Sequence, residues 1–478
     1  MLFSEIILDN EKFRIDDEFF MKEYISAYRK IKSIPNIVLK DEISVLTDFH
    51  ANGSYEAISE VFELLDEPNF AYMVRTTDLE INNFSDNVKY ITKKAYNFLS
   101  KSQVFGGELL INKIGTPGKS YLMPYLNRPT SLGMNLFLIR TNENSCINEK
   151  FLYIYFNTNF GLKIINRKIN GTVPLTIDKA AIRSLYVPKF ESDFIYEISS
   201  LVDKVFDLEL EAKSMYRQAE LLLLDTLKLK DFNPPSQTIN IKSFADSFGT
   251  SGRLDAEFYQ EKYEKLIDKI KSYPKGYNTL DYFIKDFSTG FAYKSETYTE
   301  TGIPLIRINN IGNGTLDISN AMLIPQGDIS LSPKDVANEN DILISMSGTI
   351  GNSCKVPKGV NAVVNQRIMR ISPQNINVEV LPLIINSIIG KYQLERMGTG
   401  GVQTNISAND IKQIVIPNVE EKIQTQIADL IRQSNYLRIK SKGLLEKAKK
   451  AVELAIEKDQ ESALDFIKGK QTNDCNVH

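Results

Sequence analysis

The strings that come nearest to chemistry are a glycine loop and an Asn-Pro-Pro segment. Gly115-Thr116-Pro117-Gly118-Lys119-Ser120 ends like a phosphate-cradling loop, in which backbone N–H groups surround a phosphate and a lysine reaches it. That loop needs a first glycine five residues before its Gly-Lys-Ser, and position 113 is lysine. Nucleotide binding is therefore excluded and a structural turn is expected. Asn233-Pro234-Pro235-Ser236 has three residues of the Asn-Pro-Pro-aromatic motif that grips the target base in amino-methyltransferases. Serine replaces the aromatic, the segment follows a helical pattern, and no glycine-rich loop after a strand offers a place for S-adenosylmethionine. It reads as a helix-stopping linker.

The remaining chemistries fail on spacing. Only His50 and the terminal His478 offer imidazole, and neither sits in a serine or cysteine triad. Cys146, Cys354 and Cys475 are far apart, so neither a disulfide framework nor a structural zinc is indicated. A nuclease set of Pro-Asp followed by Glu-x-Lys is absent. The chain reads as non-catalytic, with no cofactor and no metal of its own.

What organises the sequence is internal repetition. Residues 13–20 match 252–259 at an offset of 239, pairing Arg14 with Arg253 and Asp16 with Asp255. Residues 107–120 match 340–353 at an offset of 233, sharing an acidic residue, an apolar strand-like run and a Gly-Thr-x-Gly-x-Ser loop. Ile177, Ile182 and Pro188 then fall on Ile406, Ile411 and Pro417 at an offset of 229. A shrinking offset is what loop insertions produce.

Each copy ends in a long helical pattern whose apolar residues alternate four and three apart, the seam of a coiled coil. The first seam runs Phe194, Ile198, Leu201, Val205, Leu208, Ala212, Met215, Ala219, Leu222. The second, all at plus 229, runs Ile423, Ile427, Leu430, Ser434, Leu437, Ser441, Leu444, Ala448, Ala451. Nearly forty residues give a helix of roughly 50 to 60 Å, which needs a partner along its length. Small residues in the second seam permit close approach to the bulkier first. The spacing predicts an antiparallel coiled coil between them, with pseudo-twofold symmetry.

Length and composition set the frame: 478 residues, 42% hydrophobic, predict two or more folding units. An N-terminus with acidic residues in place of a basic start predicts no secretory signal and a cytoplasmic location, and no apolar run predicts a membrane span. The formal net charge of -3 decides nothing, but its distribution is uneven: residues 88–190 hold fifteen Lys or Arg against four acidic residues. Such a basic stretch is either an electrostatic footprint for phosphate or a solvated lysine-rich face.

The order repeat, long helix, repeat, long helix resembles the specificity (HsdS-type) subunits of Type I restriction-modification systems. In the second half the resemblance rests on 253–259, 288–311, 341–351 and Val364-Asn365-Gln366; in the first, on 47–58, 71–80 and 131–140. It covers nearly the whole chain except the tail after about residue 461. It implies an α+β fold of two similar mixed α/β domains and two long helices. Target recognition domains would span 1–190 and 253–417, helices 191–231 and 418–460, a linker 232–252 and a polar tail 461–478. Each domain would read one half of a bipartite double-stranded DNA target, the helices setting the spacing and docking methyltransferase subunits, expected to number two. Restriction/translocase subunits would join. S-adenosylmethionine, ATP and Mg would belong to those partners, which methylate adenine and cleave DNA. An adaptor for another phage-defence methyltransferase complex, or a coiled-coil scaffold that binds protein, remain as alternatives.

Residues expected to touch DNA are polar or basic ones in or beside the repeated loops, since Asn and Gln read adenine, Arg reads guanine, and Lys or Thr hold phosphate. In the first half these are His50, Asn52, Ser54, Arg75, Thr76, Lys113, Thr116, Lys119, Arg167, Lys168 and Asn170. In the second they are Tyr293, Lys294, Arg307, Asn309, Ser345, Ser347, Thr349, Asn365, Gln366, Arg367, Arg396 and Gln403. Arg14, Arg253, Asp16 and Asp255 recur in both halves and are expected to serve the framework or subunit docking.

Overall fold

The computed structural model describes residues 14–85, 88–171, 173–234, 240–398 and 405–469. The chain divides into two compact units, Met1–Glu209 with Ile439–His478, and Leu210–Arg438. Each long helix is therefore shared between units near its middle.

In the first unit the strands are β1 (Asn36–Val38), β2 (Ile43–Asp48), β3 (Ala71–Val74), β4 (Lys89–Ile91), β5 (Leu109–Asn112), β6 (Ser120–Leu122), β7 (Thr130–Leu132), β8 (Leu136–Thr141) and β9 (Tyr186–Pro188). They form sheets ordered β2-β8-β5-β6, β4-β3-β7 and β1-β9. Three helices frame them: α1 (Lys22–Lys32), α2 (Glu149–Phe156) and α3 (Asn159–Asn166).

The second unit repeats the plan with β10 (Tyr277–Thr279), β11 (Ile284–Ser288), β12 (Ile303–Ile306), β13 (Met322–Ile324), β14 (Val336–Ala337), β15 (Ile342–Ser345), β16 (Ser353–Lys355), β17 (Ala362–Val364), β18 (Ile368–Pro373) and β19 (Val415–Pro417). Its sheets are β11-β18-β15-β16, β13-β12-β17-β14 and β10-β19, the same order with β14 added. Helices α4 (Glu261–Lys271), α5 (Val380–Asn386) and α6 (Ile388–Met397) take the places of α1 to α3. The duplication read from the sequence is thus a duplication of topology, in an α+β fold.

The central strands β5 and β15 carry continuous apolar runs, Leu109–Ile111 and Ile342–Ile344, because both of their faces are covered. In β5, Leu109 and Ile111 enter one core and Leu110 another. In β15, Ile342 and Ile344 face one core and Leu343 a second. Sheet period two sorts the side chains. Each fully buried aliphatic contributes about 1.5 to 3 kcal/mol.

The long helices, Ser192–Thr226 and Glu421–Glu457, pack against each other within each unit. In the first unit, Glu191 N–H donates to Gln460 Oε1 and Ser441 Oγ to Val205 O at 3.2 Å, so the chains run antiparallel. In the second, Ser434 Oγ donates to Ala212 O at 2.7 Å, while Ala219 and Leu223 share a core with Ile427 and Ile431. The serines of the seam are buried donors to the facing backbone, which requires close approach.

Of the predicted seam, Phe194, Ile198, Leu201, Val205 and Ile427 are buried, whereas Leu208, Met215, Leu222, Ile423, Leu430, Leu437 and Leu444 are half-buried. Beyond Ala219 the buried positions move to Leu223, Leu224 and Leu227, because a straight helix drifts from a strict heptad and the domain core takes over the contact.

Two boundaries differ from the sequence reading. The first long helix stops at Thr226, ahead of the prolines: Lys228 adopts a left-handed φ of 57° and Leu229 N–H returns to Leu224 O. Residues 461–478 are not simply a polar tail. Asp459 caps a further helix, Gln460–Lys468, whose Ala463 and Ile467 are buried in the first unit's core. No helix among the described residues is long and apolar enough to cross a membrane.

Candidate nucleic-acid interface

Three loops meet in each unit, and the same backbone hydrogen bonds join them. In the first, Lys113 N–H of the β5–β6 hairpin donates to Asn135 O in the turn before β8, and Ile177 N–H donates to Lys113 O. In the second, Met346 N–H donates to Arg367 O and Ile406 N–H to Met346 O. The turns are anchored from behind as well: Gly133 N–H bonds Val74 O, and Asn365 N–H bonds Ile306 O. Arg75 and Arg307, the residues after those carbonyls, begin short helices, their N–H groups bonded to Asp78 and Asn310 side chains.

The hairpin explains Gly-Thr-x-Gly-x-Ser. Gly118 N–H returns to Asn112 O and Gly351 N–H to Ser345 O, with φ of 85° and 80°. A Cβ at Gly118 would lie 2.2 Å from Ile165 Cγ2, and one at Gly351 2.6 Å from Leu394 Cδ1. The second glycine lets the hairpin lie against α3 or α6. A strand and not a helix follows the loop, so a nucleotide cradle is excluded by topology as well as by spacing.

The scaffold beneath is equally duplicated. Arg140 on β8 pairs with Glu108 at 2.9 Å, and Arg370 on β18 with Asp341 at 3.0 Å. The Asn157 side chain ties α2 to Ser120, as Asn386 ties α5 to Ser353. Phe19 lies against the guanidinium groups of Arg14 and Arg167, and Phe258 against those of Arg253 and Arg396. Arg14 and Arg253 also pair with Asp16 and Asp255 and donate to carbonyls at the start of the third loop.

That stacking corrects the reading of Arg167 and Arg396. Arg167 is 5% exposed and donates to Phe19 O; Arg396 donates to Phe258 O at 2.9 Å. Both are internal supports for the loop that follows them. Other residues expected at DNA are likewise engaged within the protein. Asn52 bonds Phe49 O, Ser102 Oγ and Lys101 N–H, and Ser54 caps Tyr55–Ser59. Tyr293 is buried, Ser347 is buried in a bridge to Asn405, and Ser345 Oγ donates to Thr349 O. Asn365 is half-buried, and its Oδ1 is buried without a hydrogen-bond partner among the described residues.

The cations of the first unit's loops are paired. Lys113 and Lys179 hold Asp48 at 2.8 and 2.6 Å, Lys119 meets Glu80, and Arg75 meets Asp78. Burial pushes the Asp48 carboxyl up, but the two lysines outweigh it and hold it below its ordinary value. Thr116 accepts from Asn112, Asn170 pairs backbone with Thr176, Thr76 opens the helix after Arg75, and Lys168 is half-buried. His50 is exposed, edge-on to Phe49.

In the second unit Lys294, Asn309, Thr349, Gln366 and Arg367 are exposed and Arg307 is half-buried. Gln403 lies outside the described residues. Sequence reasoning missed Met134 and Asn135, the exposed pair at the place of Gln366 and Arg367, and also missed Asp48, Glu80 and Lys179. Carrying the 232-residue offset between Arg75 and Arg307 across to the turn would have found the first pair. Among the described residues no group of His, Cys, Asp or Glu is placed to hold a metal.

Comparison with known proteins falls on the same ground. Residues 281–450 match the model of the Type I restriction modification DNA specificity domain. Over 70 residues the chain is 37% identical to the Type I restriction enzyme EcoAI specificity subunit of Escherichia coli, covering 15% of this chain and 12% of that protein. Over 179 residues it is 25% identical to the Type I restriction enzyme MjaVIII specificity subunit of Methanocaldococcus jannaschii, covering 35% and 42%. The chain thus spans less than half the length of either curated relative. Crystal structures of the Type I restriction-modification S subunit of M. genitalium and the HsdS subunit of Thermoanaerobacter tengcongensis align over 90% and 91% of this chain and 95% and 97% of theirs. Both are 12% identical, with TM-scores of 0.37 and 0.27. Residues 281–450 are thus similar to a Type I restriction modification DNA specificity domain, and the curated relatives that the chain matches over part of its length are Type I specificity subunits.

Proposed function

We propose that this chain is the sequence-reading subunit of a Type I restriction-modification complex, doing no chemistry itself. Each domain reads one half of a bipartite duplex DNA target through its three-loop face. The observation that carries this reading is the twofold construction of that face, with the same hydrogen bonds and ion pairs beneath it and different side chains upon it. Two unlike half-sites call for one scaffold with two surfaces.

The long helices set the separation of the half-sites and dock methyltransferase subunits, two in number. About one turn of DNA, roughly 34 Å, separates half-sites read in adjacent major grooves, and helices of roughly 50 to 55 Å are long enough to fix such a distance. Restriction/translocase subunits complete the assembly. S-adenosylmethionine, ATP and Mg act on those partners, in the cytoplasm.

The test is duplex binding by the purified chain, alone and with its methyltransferase subunit, across a salt series. Neutralised phosphates require affinity to fall steeply with salt, by roughly 10³-fold or more between 50 and 200 mM if six or more are contacted. Binding that is absent, or indifferent to salt, overturns the reading in favour of a protein-binding scaffold.

A further inference from the structure

We propose that the two-residue turns Met134–Asn135 and Gln366–Arg367 are the positions at which the two domains discriminate bases, with Asn135 selecting adenine and Arg367 guanine. The inference rests on the DNA-reading assignment above and deepens it.

The two turns occupy the same place in their domains. Each precedes the strand β8 or β18, each follows a residue whose N–H is bonded to the end of β3 or β12, and each gives a carbonyl to the neighbouring hairpin. Gln366 N–H is also bonded to Phe291 O. The backbone is therefore held from both sides, while all four side chains are exposed. Among the described residues, the Asn135, Gln366 and Arg367 side chains make no hydrogen bond or ion pair. A fixed backbone carrying free donors and acceptors is what direct readout requires, because the groups lose little order when they meet a base edge.

In the first domain the neighbouring cations Lys113, Lys119 and Arg75 hold carboxylates and Arg167 is stacked inside, as Arg396 is in the second. The hairpins share Gly-Thr-x-Gly-x-Ser and differ within it only at Pro117/Ile350 and Lys119/Asn352. The turns present unlike chemistry at the same place in their domains. Asparagine matches the N6 and N7 of adenine bidentately, and arginine the O6 and N7 of guanine.

The test is selection from a randomised duplex library by the purified full-length chain, comparing the natural sequence with Arg367→Asn and Asn135→Arg. Asparagine tolerates the left-handed φ of 69° at position 367, and position 135 has no left-handed backbone, so neither exchange strains the turn. The expected result for Arg367→Asn is a loss of roughly 10- to 100-fold in preference for one guanine, in one half-site only. Asn135→Arg is expected to replace an adenine by a guanine preference in the other half-site. Weakening spread evenly over all sequences, or an unchanged motif with both variants, overturns the inference and leaves the DNA-reading assignment standing. If the natural chain enriches no motif, that assignment falls, and this inference with it.

Discussion

Several buried charges among the described residues are paired, and one pair, Glu108–Arg140, recurs as Asp341–Arg370. Arg370 and Asp341 are 3% and 4% exposed in their side chains and the other carboxylate on Arg370, Asp286, is exposed, so removing Asp341 takes away the guanidinium's buried counter-charge. Asp341→Ala is expected to cost the second domain about 3 to 5 kcal/mol in denaturant unfolding; a change within 1 kcal/mol would contradict the pairing. Asp48 supplies a pH-dependent counterpart in the first domain. Burial raises its carboxyl pKa, Lys113 and Lys179 outweigh that, and the folded-state value ends below the ordinary one. A depressed carboxyl stabilises the fold above its unfolded pKa of about 3.9 and loses that contribution as pH falls through the folded value. Asp48→Asn is therefore expected to flatten the stability curve of the first domain below about pH 4, and an unaltered acid slope would contradict the assignment. At this scale the sequence was least legible. Lys113 reads as a free phosphate contact until a carboxylate 65 residues away is folded against it. Arg167 reads as a loop residue until Phe19 and Tyr28 enclose it.

Among the elements, periodicity made the helices legible before any contact was known, because one face of each must be covered along its whole length. The seam's small residues then acquire a role that pattern alone did not give them. Ser434 and Ser441 are buried and donate to Ala212 O and Val205 O. Ser434→Ala is expected to cost about 1 kcal/mol, the lost hydrogen bond. Ser434→Leu, of a size suited to an ordinary heptad seam, is expected to cost more, because it forces the backbones apart. Thermal unfolding that ranks leucine above alanine would contradict close packing. The hairpins were legible as turns from their glycines, though the reason for the second glycine lies in the helix behind it. Gly118→Ala and Gly351→Ala combine positive φ with collision against Ile165 and Leu394, and each is expected to destabilise its domain by about 1 to 3 kcal/mol. The helical restart after Asp459 escaped notice because polar residues dominate the segment, leaving Ala463 and Ile467 to bury a single narrow stripe.

For the whole molecule, duplication was the most legible feature, since it shows as repeated strings at drifting offsets without any knowledge of fold. What the strings could not show is which repeated residues are scaffold and which are surface. Shared residues such as Glu108/Asp341 and Arg140/Arg370 turned out to hold the sheets together. Lengthening both long helices by one heptad keeps the seam in register and adds about 10 Å, so the gap between half-sites is expected to grow by about three base pairs. The most direct test of the central claim is base-resolved mapping of adenine methylation by the chain with its methyltransferase subunit, before and after residues 41–190 are replaced by those of a related specificity subunit. One half of a bipartite motif is expected to change while the other half stays as it was. A methylation pattern that the exchange leaves untouched would contradict it.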